Sequence, residues 1–158
     1  MDIEISETAE GVTNFLNALA TMTESIHELP DGWAYVSYER FVLERGVWHE
    51  AAPLPDEIRR GELGNCFANA LRLASSHRHL TYVEGYASSE FMPVQHAWCV
   101  DVDGTVIDPT WDDPQDRVYL GVEIDTDRAW EIVTKAKVFG IIGNDWMNGN
   151  MILRTGEI

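Results

Sequence analysis

Apolar positions near the start of the chain recur every three or four residues. Over residues 6–26 this spacing predicts an amphipathic helix, whose apolar face we expect to pack over a sheet formed later in the chain. The positions on this face are Val12, Phe15, Leu16, Leu19 and Met22.

A second helix is predicted from Cys66 onward. Asn65 is a residue type that is favoured at the N-cap, and Gly64 precedes it. The segment that follows is rich in good helix formers, and its apolar residues share one face; these are Phe67, Ala70, Leu71 and Ala74. Cys66 is therefore expected in the first turn of this helix.

Short apolar segments with alternating, aromatic or β-branched residues predict strands. They lie at residues 33–43, 80–87, 94–102, 105–111, 119–124 and 137–142. Residues 127–136 predict another helix, capped by Asp125 or Asp127. Residues 51–57 hold two prolines and predict a loop, followed by a turn of helix over residues 56–60, whereas residues 144–158 have no regular pattern. These elements predict an α+β fold, with the helix of Cys66 packed on a mainly antiparallel sheet.

Length and composition favour one domain over residues 1–158. The chain is 45% hydrophobic, which is enough to form a core of its own. The opening stretch is acidic and no run of roughly eighteen apolar residues occurs, so we expect a cytoplasmic protein. The 2 cysteines, Cys66 and Cys99, form no Cys-x-x-Cys motif, and we expect both to be reduced.

The excess of acidic residues limits the classes of partner that we expect. Because 11 Lys and Arg stand against 27 Asp and Glu, the formal net charge is -16 at pH 7. Such a surface repels phosphate backbones and anionic lipids, so direct binding to nucleic acid or a membrane is not expected. A basic or amine-bearing partner fits this charge better.

Three residues could form a catalytic triad of the thiol type. A thiol in the first turn of a helix gives up its proton more readily, and Cys66 is expected there. An imidazole can take that proton and a carboxylate can orient the imidazole, and His96 and Asp108 can supply these groups. The backbone N–H of Cys66 would face the developing oxyanion.

The turn between the strands of His96 and Asp108 decides whether the two side chains meet. A two-residue turn at Asp103 and Gly104 would put them on opposite faces of the sheet. A three-residue loop over residues 102–104, with Gly104 in the left-handed conformation, pairs Asp101 with Thr105 and brings His96 and Asp108 to the same face. We predict this bulged turn or an equivalent bulge.

The order of these motifs resembles the transglutaminase-like branch of the papain-like cysteine enzymes. Cys66 stands at a helix start, His96 lies within HAW on a strand, and Asp108 opens DPTW on the next, all within about residues 60–112. The resemblance implies a papain-like core, in which these residues are nucleophile, base and orienting carboxylate. Phe67 follows the cysteine where the usual motif has Trp, and papain's upstream Gln has no counterpart.

Other residues are candidates for the oxyanion hole or for the substrate pocket. Asn65, Gln95 and Trp48 are possible second oxyanion donors, and Trp98 and Trp111 could form walls of the acyl pocket.

Several remaining residues are expected to be structural. Cys99 alternates with strand residues and is expected in the core. His77 and His79 suit the end of the Cys66 helix, where a cation is favourable. A zinc site of Cys66, His96 and His79 has no common ligand spacing, so neither a metal nor another cofactor is predicted.

Three functions remain open at this stage. The first is cysteine-dependent amide or acyl chemistry through a thioester, as in a hydrolase, a deamidase or an amide transferase. The second is a non-catalytic acidic protein that binds a basic partner or mimics nucleic acid. The third is a transferase that accepts an acyl group from a carrier protein or cofactor. Each implies a different substrate or partner.

Overall fold

A computed structural model describes residues 8–158 of the chain. In chain order the elements are α1 (Ala9–Ile26), α2 (Tyr38–Arg45), β1 (Val47–His49), α3 (Cys66–Ser76), β2 (Thr81–Ala87), β3 (Val94–Val100), β4 (Val106–Ile107), β5 (Tyr119–Ile124), α4 (Thr126–Ala136) and α5 (Met151–Thr155), with 3-10 turns at Pro114–Asp116 and Asp145–Asn148. The predicted α+β class with a mainly antiparallel sheet is confirmed.

The five strands form one curled sheet in the order β1-β5-β2-β3-β4, and all neighbouring strands are antiparallel. The two edge strands of this sheet, β1 and β4, are joined by the residues next to them. There the N–H of Glu50 donates to the carbonyl of Gly104 at 3.3 Å, and the N–H of Val106 donates to the carbonyl of Glu50 at 2.8 Å. A cross-section through the sheet at this level is therefore closed.

The sheet has two apolar faces. The outer face packs against α3, which contacts β2 and β3, and against α2, which contacts β5. These contacts belong to the larger core, which includes Tyr82, Ala97 and Cys99. The inner face of the curl encloses a smaller core of Val83, Ala87, Trp98, Val100, Val106 and Tyr119. Because side chains alternate along a strand, His96 lies on the inner face with Trp98.

Helix α1 begins where the described residues begin. Thr8 is its N-cap and accepts a hydrogen bond from the N–H of Gly11 at 3.0 Å, and Val12 and Leu16 are buried. The predicted helix is confirmed within the described range, and residues 6–7 lie outside it. Its main helical neighbour is α2, which in turn contacts β5.

Residues 33–43 do not form the predicted strand. Ser37 caps α2 instead, because its hydroxyl accepts from the N–H of Arg40 at 3.1 Å. Phe41 and Val42 are buried on this helix, and the strand β1 follows it without having been predicted.

Residues 137–142 also do not form a strand. Lys137 ends α4 in the left-handed conformation, with φ 59°, and Gly140 has φ 93°. The next two N–H groups, of Ile141 and Ile142, donate to the buried carboxylate of Glu84 at 2.7–2.9 Å. This side chain takes the donors that a strand would use for pairing.

Two further segments differ from expectation. Residues 56–60 form no turn of helix; residues 55–58 form a turn closed by a hydrogen bond from the N–H of Ile58 to the carbonyl of Pro55 at 3.0 Å. The end of the chain is more regular than its sequence indicates, since it contains α5. Within residues 8–158, none of the helices combines the length and apolarity that a membrane crossing requires.

Candidate active site

Cys66 is the first residue of α3, as predicted, and its side chain is half-buried. Asn65 occupies the N-cap position but its side chain makes no capping bond. Its amide donates to Glu62 Oε2 at 2.9 Å instead. The amide groups of the first turn are therefore not capped by a side chain, and a helix start of this kind favours a negative charge on the group beside it.

His96 and Asp108 meet on the inner face of the sheet. His96 Nε2 donates to Asp108 Oδ2 at 2.7 Å. The two side chains are 2% and 0% exposed, so this is a hydrogen bond that water does not reach. A buried pair of this kind holds the imidazole in one orientation.

Asp108 has further partners that hold its charge. The hydroxyl of Tyr119 donates to Oδ2 at 2.8 Å, and the N–H of Thr110 donates to Oδ1 at 2.9 Å. Burial raises the pKa of the Asp108 carboxyl, but the bonds with His96, Thr110 and Tyr119 outweigh burial and lower it below its ordinary value. Asp108 is therefore a carboxylate at neutral pH.

Cys66 is close enough to the His96 ring to be one of the groups that raise its pKa. Since Nε2 is bonded to Asp108, Nδ1 is the ring nitrogen left for the thiol. Burial lowers the pKa of His96, but its bonds with Asp108 and Cys66 have the larger combined effect and raise the pKa above its ordinary value. The ring is thus suited to accept a proton.

The turn that brings His96 and Asp108 together is the bulged one. Gly104 has φ 79°, and the N–H of Asp101 donates to the carbonyl of Thr105 at 3.0 Å. The adjoining pairs are Val100 with Val106 and Cys99 with Ile107, so this register continues to Trp98 opposite Asp108. The predicted turn and register are confirmed.

The ring of Trp111 covers His96. Their centroids are 3.7 Å apart and their planes differ by 7°. The backbone N–H of Trp111 also donates to the carboxylate of Asp108, at 3.5 Å from Oδ1. One face of the imidazole is therefore closed to water by the residue that ends the DPTW motif.

A polar bridge joins α3 to the segment of Asp108. The side-chain amide of Asn69 donates to Thr110 Oγ1 at 3.1 Å and to the carbonyl of Glu62 at 2.9 Å. The N–H of Gly61 donates to the carbonyl of Pro109 at 2.6 Å. These bonds fix the helix start relative to the carboxylate.

Tyr119, Thr110 and Asn69 were not among the residues selected from the sequence. Strand alternation could have identified Tyr119, because it precedes the outward-facing Leu120 and must face inward. For Asn69 the signal was its position one helical turn after Cys66.

The residues predicted for the oxyanion hole and the substrate pocket do not all lie near the triad. Trp98 is 0% exposed within the inner core, where its Nε1 donates to His49 Nδ1 at 3.4 Å. Gln95 points to the face opposite His96 and reaches Tyr86 Oη at 3.5 Å. Trp48 pairs with Leu120 and is 42% exposed on the outer side of the sheet. Asn65 directly precedes Cys66, and the rings of Trp111 and Trp98 are both stacked on His96, with centroid distances of 3.7 and 6.1 Å.

Cys99 differs from Cys66 in its surroundings. Its thiol is buried and donates to the carbonyl of Ala70 at 3.1 Å. Burial raises the pKa of the Cys99 thiol to about 12. Both cysteines are free, and Cys99 has the core environment that was expected of it.

The histidines at the end of α3 lie near each other. His77 is the C-cap, and the ring centroids of His77 and His79 are 6.0 Å apart. In the part of the chain that the structure describes, no group of three or more His, Cys, Asp or Glu side chains is arranged to hold a metal ion.

No protein-family model, no curated protein and no solved structure matches this chain.

Proposed function

We propose that this protein is a cysteine-dependent enzyme that acts on an amide or a related acyl group. Cys66 is the nucleophile, His96 is the acid and base, and Asp108 orients His96. The observation that carries the proposal is the buried 2.7 Å hydrogen bond between His96 and Asp108, which leaves the other ring nitrogen for the thiol at the helix start.

The reaction has two halves. His96 accepts the thiol proton as the Cys66 sulfur attacks the carbonyl carbon, and the negative charge on oxygen faces the N–H of Cys66. His96 then donates that proton to the leaving amine, the carbon–nitrogen bond breaks, and a thioester remains. Water or an acceptor amine attacks the thioester with His96 as base, which releases the acyl product and restores the thiol.

The arrangement also supports a proposed kinship with the transglutaminase-like branch of the papain-like enzymes. In both, a cysteine at a helix start is combined with a histidine on one strand and an acid on the next antiparallel strand. Such a kinship would include hydrolysis, deamidation and amide transfer among the possible reactions, and it would not select one of them.

Selective alkylation tests the proposal, because Cys99 serves as an internal control. We expect iodoacetamide to modify Cys66 at neutral pH faster than a free cysteine in solution, and to leave Cys99 unmodified. His96→Ala should remove this advantage. Asp108→Asn should reduce it by on the order of a hundredfold or more, since it removes the charge that orients the ring. Peptide mapping by mass spectrometry gives the rate for each thiol.

An equal and slow reaction of both thiols in the folded protein would contradict the proposal. So would a fast reaction of Cys66 that His96→Ala leaves unchanged. The acyl group itself can be identified by intact-mass measurement of the protein after incubation with cell extract, with Cys66→Ser as the control that forms no thioester.

The net charge of -16 favours a second candidate, a non-catalytic protein that binds a basic partner. We expect such a partner to be captured equally by the wild type and by Cys66→Ser, and to be released by salt. Loss of capture in Cys66→Ser would favour the enzyme over this candidate.

A further inference from the structure

Arg117 lies over the ring of Trp111, the same ring that is stacked on His96. Its guanidinium carbon is 4.7 Å from the centroid of Trp111, and the centroid of the His96 imidazole is 3.7 Å from the same indole. The guanidinium of Arg117 contacts the indole of Trp111, and that indole contacts the imidazole of His96. The hydrogen-bond partners of Arg117 are Asp113 and Ser88, and neither Cys66 nor Asp108 is among them.

Three further bonds hold Arg117 in this position. Its Nε and Nη2 donate to the two carboxylate oxygens of Asp113 at 3.0 and 2.8 Å. Its Nη1 donates at 3.2 Å to the carbonyl of Ser88, the residue that follows β2. Since the guanidinium is planar and its donors point in fixed directions, these bonds leave it little freedom to leave the indole.

We infer that Arg117 is a positioning residue for the reaction proposed above, because it clamps Trp111 against His96. The clamp keeps the imidazole in the plane where Nε2 meets Asp108 and Nδ1 faces Cys66. This inference rests on the proposed function for its effect on the reaction, but its geometrical part can be tested separately.

Contact, rather than charge, is the means by which Arg117 acts. Asp113 forms a bidentate ion pair with it, so the net charge that His96 senses across the indole is small. A lysine at this position would keep the charge and could still pair with Asp113, but it has no planar group to lie on Trp111. The substitution Arg117→Lys therefore separates the two effects.

The experiment compares Arg117→Lys and Asp113→Asn with a matched control, Arg40→Lys. Arg40 is also a partly buried arginine that pairs with a carboxylate, Glu24 at 2.8 Å, on α1 and α2 away from the triad. The first measurement is the proton NMR spectrum of the His96 ring. Protons that lie over an indole face are shifted upfield by its ring current, so the wild type should show upfield His96 signals.

The second measurement is the rate of Cys66 alkylation by iodoacetamide. In Arg117→Lys and Asp113→Asn we expect the His96 ring signals to move downfield and the rate to fall about fivefold, because a small displacement of the base is costly to the reaction. Arg40→Lys should change neither quantity, although its melting temperature should fall about as much as that of Arg117→Lys.

His96 signals that stay at the wild-type position in both Arg117→Lys and Asp113→Asn would overturn the inference. A rate loss of the same size in Arg40→Lys would also overturn it, because the effect would then be one of general stability. If Cys66 of the wild type proves unreactive, the proposed function fails, and the ring signals alone still decide whether Arg117 holds Trp111.

Discussion

Asp108 has a hydrogen-bond partner for each side of its carboxylate. Tyr119 and His96 share Oδ2, and the N–H of Thr110 binds Oδ1. Such a carboxylate is ionised although it is fully buried, because hydrogen bonds to the charged form replace the water that burial removes. Its surroundings therefore suit a group that orients His96 without exchanging protons itself.

Replacing Tyr119 by Phe tests how much one of these bonds contributes. Tyr119→Phe removes only the hydroxyl, and we expect the free energy of unfolding in urea to fall by about 1.5–3 kcal/mol, the range for a bond to a charged group. Tyr86→Phe is the control, since that hydroxyl has a 3.5 Å contact with Gln95 and should matter less. Equal losses in the two variants would mean that Asp108 does not depend on Tyr119.

The paired titration of His96 and Asp108 predicts a pH range of greatest stability. The raised pKa of His96 contributes to the free energy of unfolding. This contribution is complete below the pKa of His96 in the unfolded chain, about 6.5, and is lost as the pH rises through its pKa in the folded protein. The lowered pKa of Asp108 gives a second contribution to the free energy of unfolding. It is complete above the unfolded pKa of about 3.9 and is lost as the pH falls through the pKa of Asp108 in the folded protein. Both contributions are present together between about pH 4 and 6.5.

Urea unfolding at several pH values can check this range. The stability difference between the wild type and His96→Gln should be largest near pH 5–6 and should shrink toward about pH 9, because Gln at this position does not titrate. A difference that is constant from about pH 5 to pH 9 would show that His96 does not gain its proton affinity from the fold.

At the scale of secondary structure, the hairpin between β3 and β4 decides which face Asp108 occupies. The sequence was sufficient to predict its register, because alternation allows only an odd-numbered loop if His96 and Asp108 are to meet. The left-handed conformation of Gly104 is what makes a loop of this length possible. The residue types of this hairpin were therefore enough to predict the contact between His96 and Asp108, which are twelve positions apart in the sequence.

Substituting Gly104 measures the strain that glycine avoids. A Cβ on Gly104 would meet no atom within 4 Å, so the cost of Gly104→Ala is conformational alone, and we expect about 1–2 kcal/mol of lost stability. Gly32→Ala is a matched control with the same φ of 79° and equally open surroundings. The two losses should agree, and only Gly104→Ala should slow the alkylation of Cys66.

Elements that depend on distant partners were missed or misassigned. The apolar segment 137–142 has strand-like residues, but Glu84 on β2 binds its amides. No local pattern contains this information, since the two partners are more than fifty residues apart. In α2 the opposite holds, because the Ser37 cap is a local signal that the aromatic and branched residues around it outweighed in the prediction. β1, with three residues, is too short to show a period.

For the whole molecule, the dominant property is an excess of negative charge. The formal net charge of -16 at pH 7 implies self-repulsion in the folded state, and salt screens that repulsion. The screening length falls from about 30 Å at 0.01 M to about 10 Å at 0.1 M ionic strength. Charges across the molecule therefore interact much less at the higher concentration.

Salt should accordingly stabilise the protein. Between about 0.01 M and 0.3 M sodium chloride at neutral pH we expect the melting temperature to rise by about 2–5 °C, which corresponds to about 1 kcal/mol for a chain of this size. Near the isoelectric point, about 4.4, the same change in salt should have little effect, since little net charge remains to be screened. A melting temperature that falls with salt at neutral pH would show that specific ion pairs outweigh the net repulsion.

The joining of the two sheet edges at Glu50 also concerns contacts between separate chains. An open edge strand carries unpaired N–H and carbonyl groups, which can template the addition of a strand from another molecule and so start aggregation. Here the backbone of Glu50 bonds to Gly104 and Val106, so each edge uses the other as its partner at this point. Cutting or lengthening the chain next to Glu50 would therefore expose both edges together, and we expect it to favour association between separate chains.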